Sequence, residues 1–254
     1  MLRSLVADVL TYLRFYSRLP LGQGAHAPLE FARMAPALPI AGALIGAVGA
    51  AGLIVARICH LPALICALVA IFVIVLATGA LHEDGLADVA DGFGGATRES
   101  KLAIMRDSRI GAYGVLALCF SVLLRVAALA SILERSGTLA AAALIFSGAL
   151  SRVAGVAPMI WLAPARADGL GATVAAPPRE IWSRAWLVAA AFGLAPWIVG
   201  ASVSQIAVAL IAAFAAAAFI ANLAKRAIGG YTGDVLGAAQ QLAEIAILAA
   251  LSAA

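Results

Sequence analysis

The eleven residues His82-Glu83-Asp84-Gly85-Leu86-Ala87-Asp88-Val89-Ala90-Asp91-Gly92 hold four of the chain's 13 acidic residues. On a helix, Asp84, Asp88 and Asp91 fall at i, i+4 and i+7 and share one face. Three carboxylates stacked in this way repel one another, so a cation must offset them or their pKa values must rise. A set of oxygen-only ligands suits Mg²⁺ or Mn²⁺ rather than zinc. Glu83 projects about 100° from Asp84 and stands outside the set. His82 adjoins it, either as a contributor or as an interfacial histidine. The plain alternative is a solvated acidic face. The position of the cluster at the end of a long apolar stretch, in a chain with so few acids, favours the metal.

Cations follow closely. Gly92-Phe93-Gly94-Gly95 is either a simple turn or a source of free backbone N–H groups for phosphate oxygens. Beyond it come Arg98, Lys101 and Arg106, then Asp107-Ser108-Arg109-Ile110-Gly111. Arginine beside a carboxylate–metal cluster is what a phosphate-bearing substrate needs, because its guanidinium forks onto phosphate oxygens. Arg109, next to Asp107, is the strongest candidate; the alternative is that these cations only set topology. Lys225-Arg226 and Gly229-Gly230-Tyr231-Thr232-Gly233-Asp234 repeat the theme, with Gln240, Gln241 and Glu244 further along. Glu244, Arg125 and Arg152 lie inside apolar stretches, where an ionisable group is costly and faces protein or a polar cavity. A structural pair such as Arg152 with Glu244 and a contact to a bound anion are both open.

The elements that must position these groups are membrane helices. Of 254 residues, 64% are hydrophobic and 12% charged, and the mean hydropathy is +1.04. Soluble domains carry about a quarter charged residues. Uncharged or nearly uncharged runs mark spans at 36–56, 61–81, 110–133, 138–163 and 236–253. A further run, 185–224, holds two spans joined near Ser202–Gln205. The fold class is therefore an all-α, polytopic membrane bundle of about seven transmembrane helices. It forms one membrane-embedded catalytic domain over 1–254. Asp8, Arg14 and Arg18 interrupt any signal-peptide core, and Leu2, Leu5, Val6, Val9, Leu10 and Leu13 recur at helical spacing. The segment 1–35 is thus expected to be an interfacial helix and its tail. Residues 82–109 are expected to be an acidic active-site loop. Gly42-x-x-x-Gly46 either permits close helix approach or reflects composition. Cys59, Cys66 and Cys119 form no CxxC pair, so buried, inert thiols are expected.

With seven spans, one side collects all but four of the 17 lysines and arginines. The exceptions are Arg57 and Arg135 on the far side, and Arg125 and Arg152 within spans. By the positive-inside rule the loaded side is cytoplasmic. The basic balance therefore needs no nucleic acid.

Several of these blocks resemble the signature of the cobalamin synthase family, the adenosylcobinamide-GDP ribazoletransferases. They are the His82–Gly92 run, Ile104-Met105-Arg106-Asp107-Ser108-Arg109-Ile110-Gly111, Ser151-Arg152, Asp168-Gly169-Leu170-Gly171 and Gly229-Gly230-Tyr231-Thr232-Gly233-Asp234-Val235-Leu236-Gly237-Ala238. The likeness spans essentially the whole chain in matching order. It implies a Mg²⁺-dependent transfer of the phosphocobinamide group of adenosylcobinamide-GDP to α-ribazole or its 5′-phosphate, releasing GMP. It also implies a multi-pass protein of the bacterial inner membrane, with its active site facing the cytoplasm; an oligomer is compatible. Asp84, Asp88, Asp91 and Asp234 match motif aspartates and are expected to be catalytic and metal-binding. His82, Arg106, Asp107, Ser108, Arg109, Arg152, Lys225 and Thr232 are expected to contact substrate. Position 83 varies in the family pattern, so Glu83 is not carried over, and position 168 takes either acid. Two rivals stand against this reading. A CDP-alcohol phosphotransferase would carry arginine where this chain has Asp88, and a transporter would use Arg125, Arg152 and Glu244.

Overall fold

The computed structural model describes residues 2–22, 30–168 and 174–253. The side chains of Leu2 and Arg3, and Gly169-Leu170-Gly171 of the Asp168 block, lie outside them. Twelve α-helices follow one another among the described residues: α1 Leu2–Tyr16, α2 Phe31–Met34, α3 Leu38–Ile58, α4 Ala63–Thr78, α5 Leu81–Phe93, α6 Arg98–Ile104, α7 Ala112–Arg135, α8 Gly137–Trp161, α9 Arg179–Ala191, α10 Leu194–Ile198, α11 Val203–Ile228 and α12 Gly233–Ser252. The extended pairing among them is a single parallel bridge between Pro164 and Tyr231.

Six spans are long and apolar enough to cross a membrane, and a seventh if α4 and α5 count as one bent unit. The expected seven-span bundle therefore stands, with one correction. The stretch 82–109 is largely helical, not a loop. Gly79, at φ 62°, closes α4 in a left-handed cap, and Ala80 follows at φ 59°. Two successive left-handed residues turn α5 by 90° from α4. Helix α5 packs along α7, from Glu83 beside Arg125 to Asp91 at the amides of Gly111 and Gly114, and forms the second half of that bent unit. The lipid-facing surface is apolar, with Leu64, Phe72, Leu116, Phe120, Leu123 and Ile211 all exposed on the protein. In water such a surface would be unstable; in hydrocarbon it is the expected one.

The helix at the centre is α8. It crosses α3 through glycine: a Cβ on Gly42 would overlap the Gly148 carbonyl oxygen, and one on Gly46 that of Leu144. The small-residue motif is thus a true close approach. Of the cysteines, Cys66 is buried but Cys59 and Cys119 are exposed, contrary to expectation. Cys59 caps the end of α3, and Cys119 sits on the outward face of α7, where an apolar residue meets lipid rather than core. All three thiols are free.

The two ends of the bundle are defined by contacts. At one end, Arg98 donates to the carbonyls of Ile228 and Ala165, at 2.9 and 2.5 Å, gathering the loops before α6, after α8 and after α11. At the other, Arg57 abuts Gly137, and both Arg135 and Gln205 donate to the carbonyls of Leu251 and Ala253. The segregation read from charge is the segregation found. Helix α1 packs Val9, Tyr12 and Leu13 into the protein and leaves Val6 exposed.

Candidate active site

The acidic face of α5 meets the start of α12. Neither helix has a side chain at the crossing: a Cβ on Gly85 would stand 2.9 Å from the Asp234 carbonyl oxygen, and one on Gly237 would stand 3.3 Å from that of His82. This contact brings Asp84 and Asp88 to Asp234 across 150 residues of sequence. Thr232 caps α12, its hydroxyl accepting from the Val235 amide at 3.3 Å and donating to Asp234 at 3.1 Å. A guanidinium from the segment after α8 completes the group, with Arg166 lying 3.5 Å from the Asp234 carboxylate.

These residues surround a cavity of about 300 Å³. Its charged lining is Asp84, Asp234, Arg152 and Arg166, with His82 and Gln240 beside them. Asp88 stands on the same acidic face. It follows Asp84 by one helical turn, which is the spacing at which two carboxylates repel one another.

Asp91, by contrast, faces α7. Its two oxygens accept the amides of Gly111 and Gly114 at 2.7 and 2.9 Å, capping that helix. The i+7 position keeps nearly the direction of i but lies about 10 Å further along the helix axis, where the start of α7 is its neighbour. The remaining candidates lie apart from the cavity. Arg106 donates from Nη2 to both carboxylate oxygens of Asp168, at 2.6 and 2.7 Å. Arg109 forks onto Asp107, with the closest contact at 2.5 Å and its side chain 87% exposed. That partner holds the Asp107 carboxyl down at about 2. Ser108 is exposed between them, and Lys225 is exposed at the end of α11.

Beneath the cavity runs a buried polar network. Glu83 pairs with Arg125 at 3.0 Å, Arg125 lies 3.7 Å from Glu244, and Glu244 pairs with Arg152 at 3.4 Å. Two glutamates and two arginines give a neutral set. Gln240 donates to Glu244 and Ser151, and Gln241 to Glu83. Of the two readings the sequence left open for Arg152, the pairing with Glu244 is present, and Arg152 also lines the cavity. Sequence reasoning missed Glu83, set aside because its position varies, and Arg166, counted only as a topology charge. The signal for Glu83 was available: Arg125 inside a span requires a carboxylate.

The donor set fits a hard divalent cation with one qualification. No three His, Cys, Asp or Glu side chains among the described residues stand together as a ready-made metal site. Magnesium is commonly held by one or two carboxylates and completes its shell with water and substrate phosphate oxygens. Asp84 and Asp234 in the cavity, with Asp88 on the same face, meet that requirement.

Fold and cavity together define a multi-pass helical membrane protein with an acidic and arginine-lined site at its basic end. Residues 8–252 match the family model described as Cobalamin-5-phosphate synthase, and the chain belongs to this family. A relative named adenosylcobinamide-GDP ribazoletransferase from Azorhizobium caulinodans is 50% identical, over 96% of this chain and 94% of the relative. Relatives of the same name from Xanthobacter autotrophicus and Rhizobium johnstonii are 46% and 42% identical, covering 95% and 100% of this chain and 94% and 99% of their own. No solved structure matches the chain.

Proposed function

We propose that the chain transfers the phosphocobinamide group of adenosylcobinamide-GDP to α-ribazole or its 5′-phosphate, giving adenosylcobalamin or its 5′-phosphate and GMP. The observation that carries this reading is the cavity that joins Asp84 and Asp234 to Arg152 and Arg166 in a member of this family. A pyrophosphate donor is anionic and would be repelled by carboxylates alone. Arg152 and Arg166 supply the counter-charge, and a Mg²⁺ held by Asp84 and Asp234 would neutralise the pyrophosphate and the departing GMP.

The bond changes are few. A ribose hydroxyl oxygen of the acceptor attacks the phosphorus that carries the cobinamide. A P–O bond forms there, the P–O bond to GMP breaks, and GMP leaves with its electron pair. The hydroxyl proton must go to a base. Asp88, one turn from Asp84 on the same face of α5, is the carboxylate placed to take it. The corrin macrocycle is too large for the cavity and remains outside it, where Arg106, Asp107, Ser108, Arg109 and Lys225 are available.

The charge-loaded end supports a cytoplasmic active site in the bacterial inner membrane. The buried ionic groups, which would suit a transporter, pair with one another and so leave no row of free charges across the bilayer. The test uses purified protein in liposomes with Mg²⁺. Omitting either adenosylcobinamide-GDP or the ribazole acceptor should abolish GMP release. Turnover of a CDP-activated lipid, with none of the corrinoid, would hand the case to the phospholipid rival.

A further inference from the structure

The cavity has a second chemistry that phosphate transfer does not use. While α5, α8, the segment after α8 and α12 supply its charges, α1 and α2 supply aromatic rings, Phe15, Tyr16 and Phe31. Tyr16 stacks on His82 with centroids 5.4 Å apart and planes 20° from parallel, and Phe15 stands edge-on to Tyr16 at 4.7 Å. Phe31 lies 5.5 Å from the fully buried Tyr12. The wall is pinned to the site, because the Arg18 amide donates to the Ala77 carbonyl at 2.7 Å and so ties the segment after α1 to the end of α4.

We infer that this aromatic wall is the subsite for the base of the acceptor, the planar dimethylbenzimidazole of α-ribazole, whose ribose then faces Asp84 and Asp234. The inference rests on the function proposed above and deepens it. Size supports it. A dry cavity of about 150 Å³ holds one benzene, so 300 Å³ has room for a two-ring heterocycle with its sugar. A corrin macrocycle with its side chains does not fit. Chemistry decides between the two bases of the reaction. Tyr16 is stacked between His82 and Tyr12, 6.1 Å away at 23°, so it offers its edge; the π faces and methylated edge of dimethylbenzimidazole suit that edge together with Phe15 and Phe31. Guanine carries donors and acceptors around its edge that phenyl rings leave unsatisfied, at the cost of burying unpaired polar groups.

The test is steady-state kinetics on Tyr16→Leu, which keeps apolar bulk and removes the ring. The acceptor KM should rise by about tenfold or more, while the KM for adenosylcobinamide-GDP and kcat at saturating acceptor stay within about threefold, the pattern of lost ground-state binding. Tyr16→Phe should recover most of the loss. A rise in the donor KM alone would assign the wall to guanine, and unchanged constants would make it packing only; either overturns the inference. Should Tyr16→Leu fail to fold, Phe15→Leu is read by the same two constants. Failure of the wild type to join donor and acceptor at all would instead overturn the proposed function.

Discussion

At the scale of single residues, the site depends on which carboxylates share a space. Asp84 and Asp234 do, Asp88 follows Asp84 on the same face of α5, and Asp91 serves as a helix cap. Asp84→Asn should abolish GMP release while the protein remains folded, because a neutral amide under-charges the metal site without disturbing helix packing. Retained turnover at limiting Mg²⁺, with an unchanged thermal melt, would contradict this role. Asp88→Asn should lower kcat sharply while the KM for adenosylcobinamide-GDP changes little, because it removes the group that takes the hydroxyl proton. Steady-state kinetics checks this, and an unchanged kcat would place the base elsewhere. Much of this was legible in the chain. The i, i+4 spacing put Asp84 and Asp88 together, and their repulsion followed. The redirection of Asp91 was not legible, because it depends on where α7 begins in space. Nor was the neutralisation of Arg109 by Asp107 within a single exposed turn.

At the scale of elements, α5 is the part on which the rest turns. Glu83 on its inner face is held by Arg125 from α7 and Gln241 from α12. That anchor fixes the rotation of α5 and thereby aims Asp84 at the cavity. Arg125→Met leaves Glu83 buried without its cation and Glu244 with Arg152 alone. Breaking a buried pair on one side costs about 3–5 kcal/mol. We expect a clear fall in the melting temperature in detergent, and an unchanged melt would show that the network is dispensable. The α3–α8 crossing makes a second claim. Gly46→Leu would drive a side chain into the Leu144 carbonyl, and overpacking of this kind costs about 1–3 kcal/mol. Thermal unfolding of that variant measures it. The spans themselves were readable from uncharged runs, as was the break near Ser202. The helical nature of 82–109 was readable only conditionally, since its acidic residues give no apolar run and its 90° turn rests on the left-handed pair Gly79 and Ala80.

At the scale of the whole molecule, asymmetry is the organising fact. The basic loops, the acidic face of α5 and the cavity gather at one end, held by Arg98. The other end carries Arg57 and Arg135. On a background lacking Cys59, Cys66 and Cys119, an impermeant thiol reagent applied to intact cells should label a cysteine at position 135 and miss one at position 98. Labelling at 98 from outside would invert the topology. This asymmetry was fully legible from charge, whereas the aromatic wall brought by α1 was not, because the sequence read that helix only as an interfacial anchor. The central claim is that the carboxylate cavity joins the acceptor to the activated corrinoid. The most direct measurement is GMP and joined corrinoid counted together, from wild type and Asp84→Asn at equal folded concentration with Mg²⁺. The account predicts one GMP per joined corrinoid from the wild type and neither product from the variant. GMP released without joined corrinoid, or equal yields from both proteins, would contradict it.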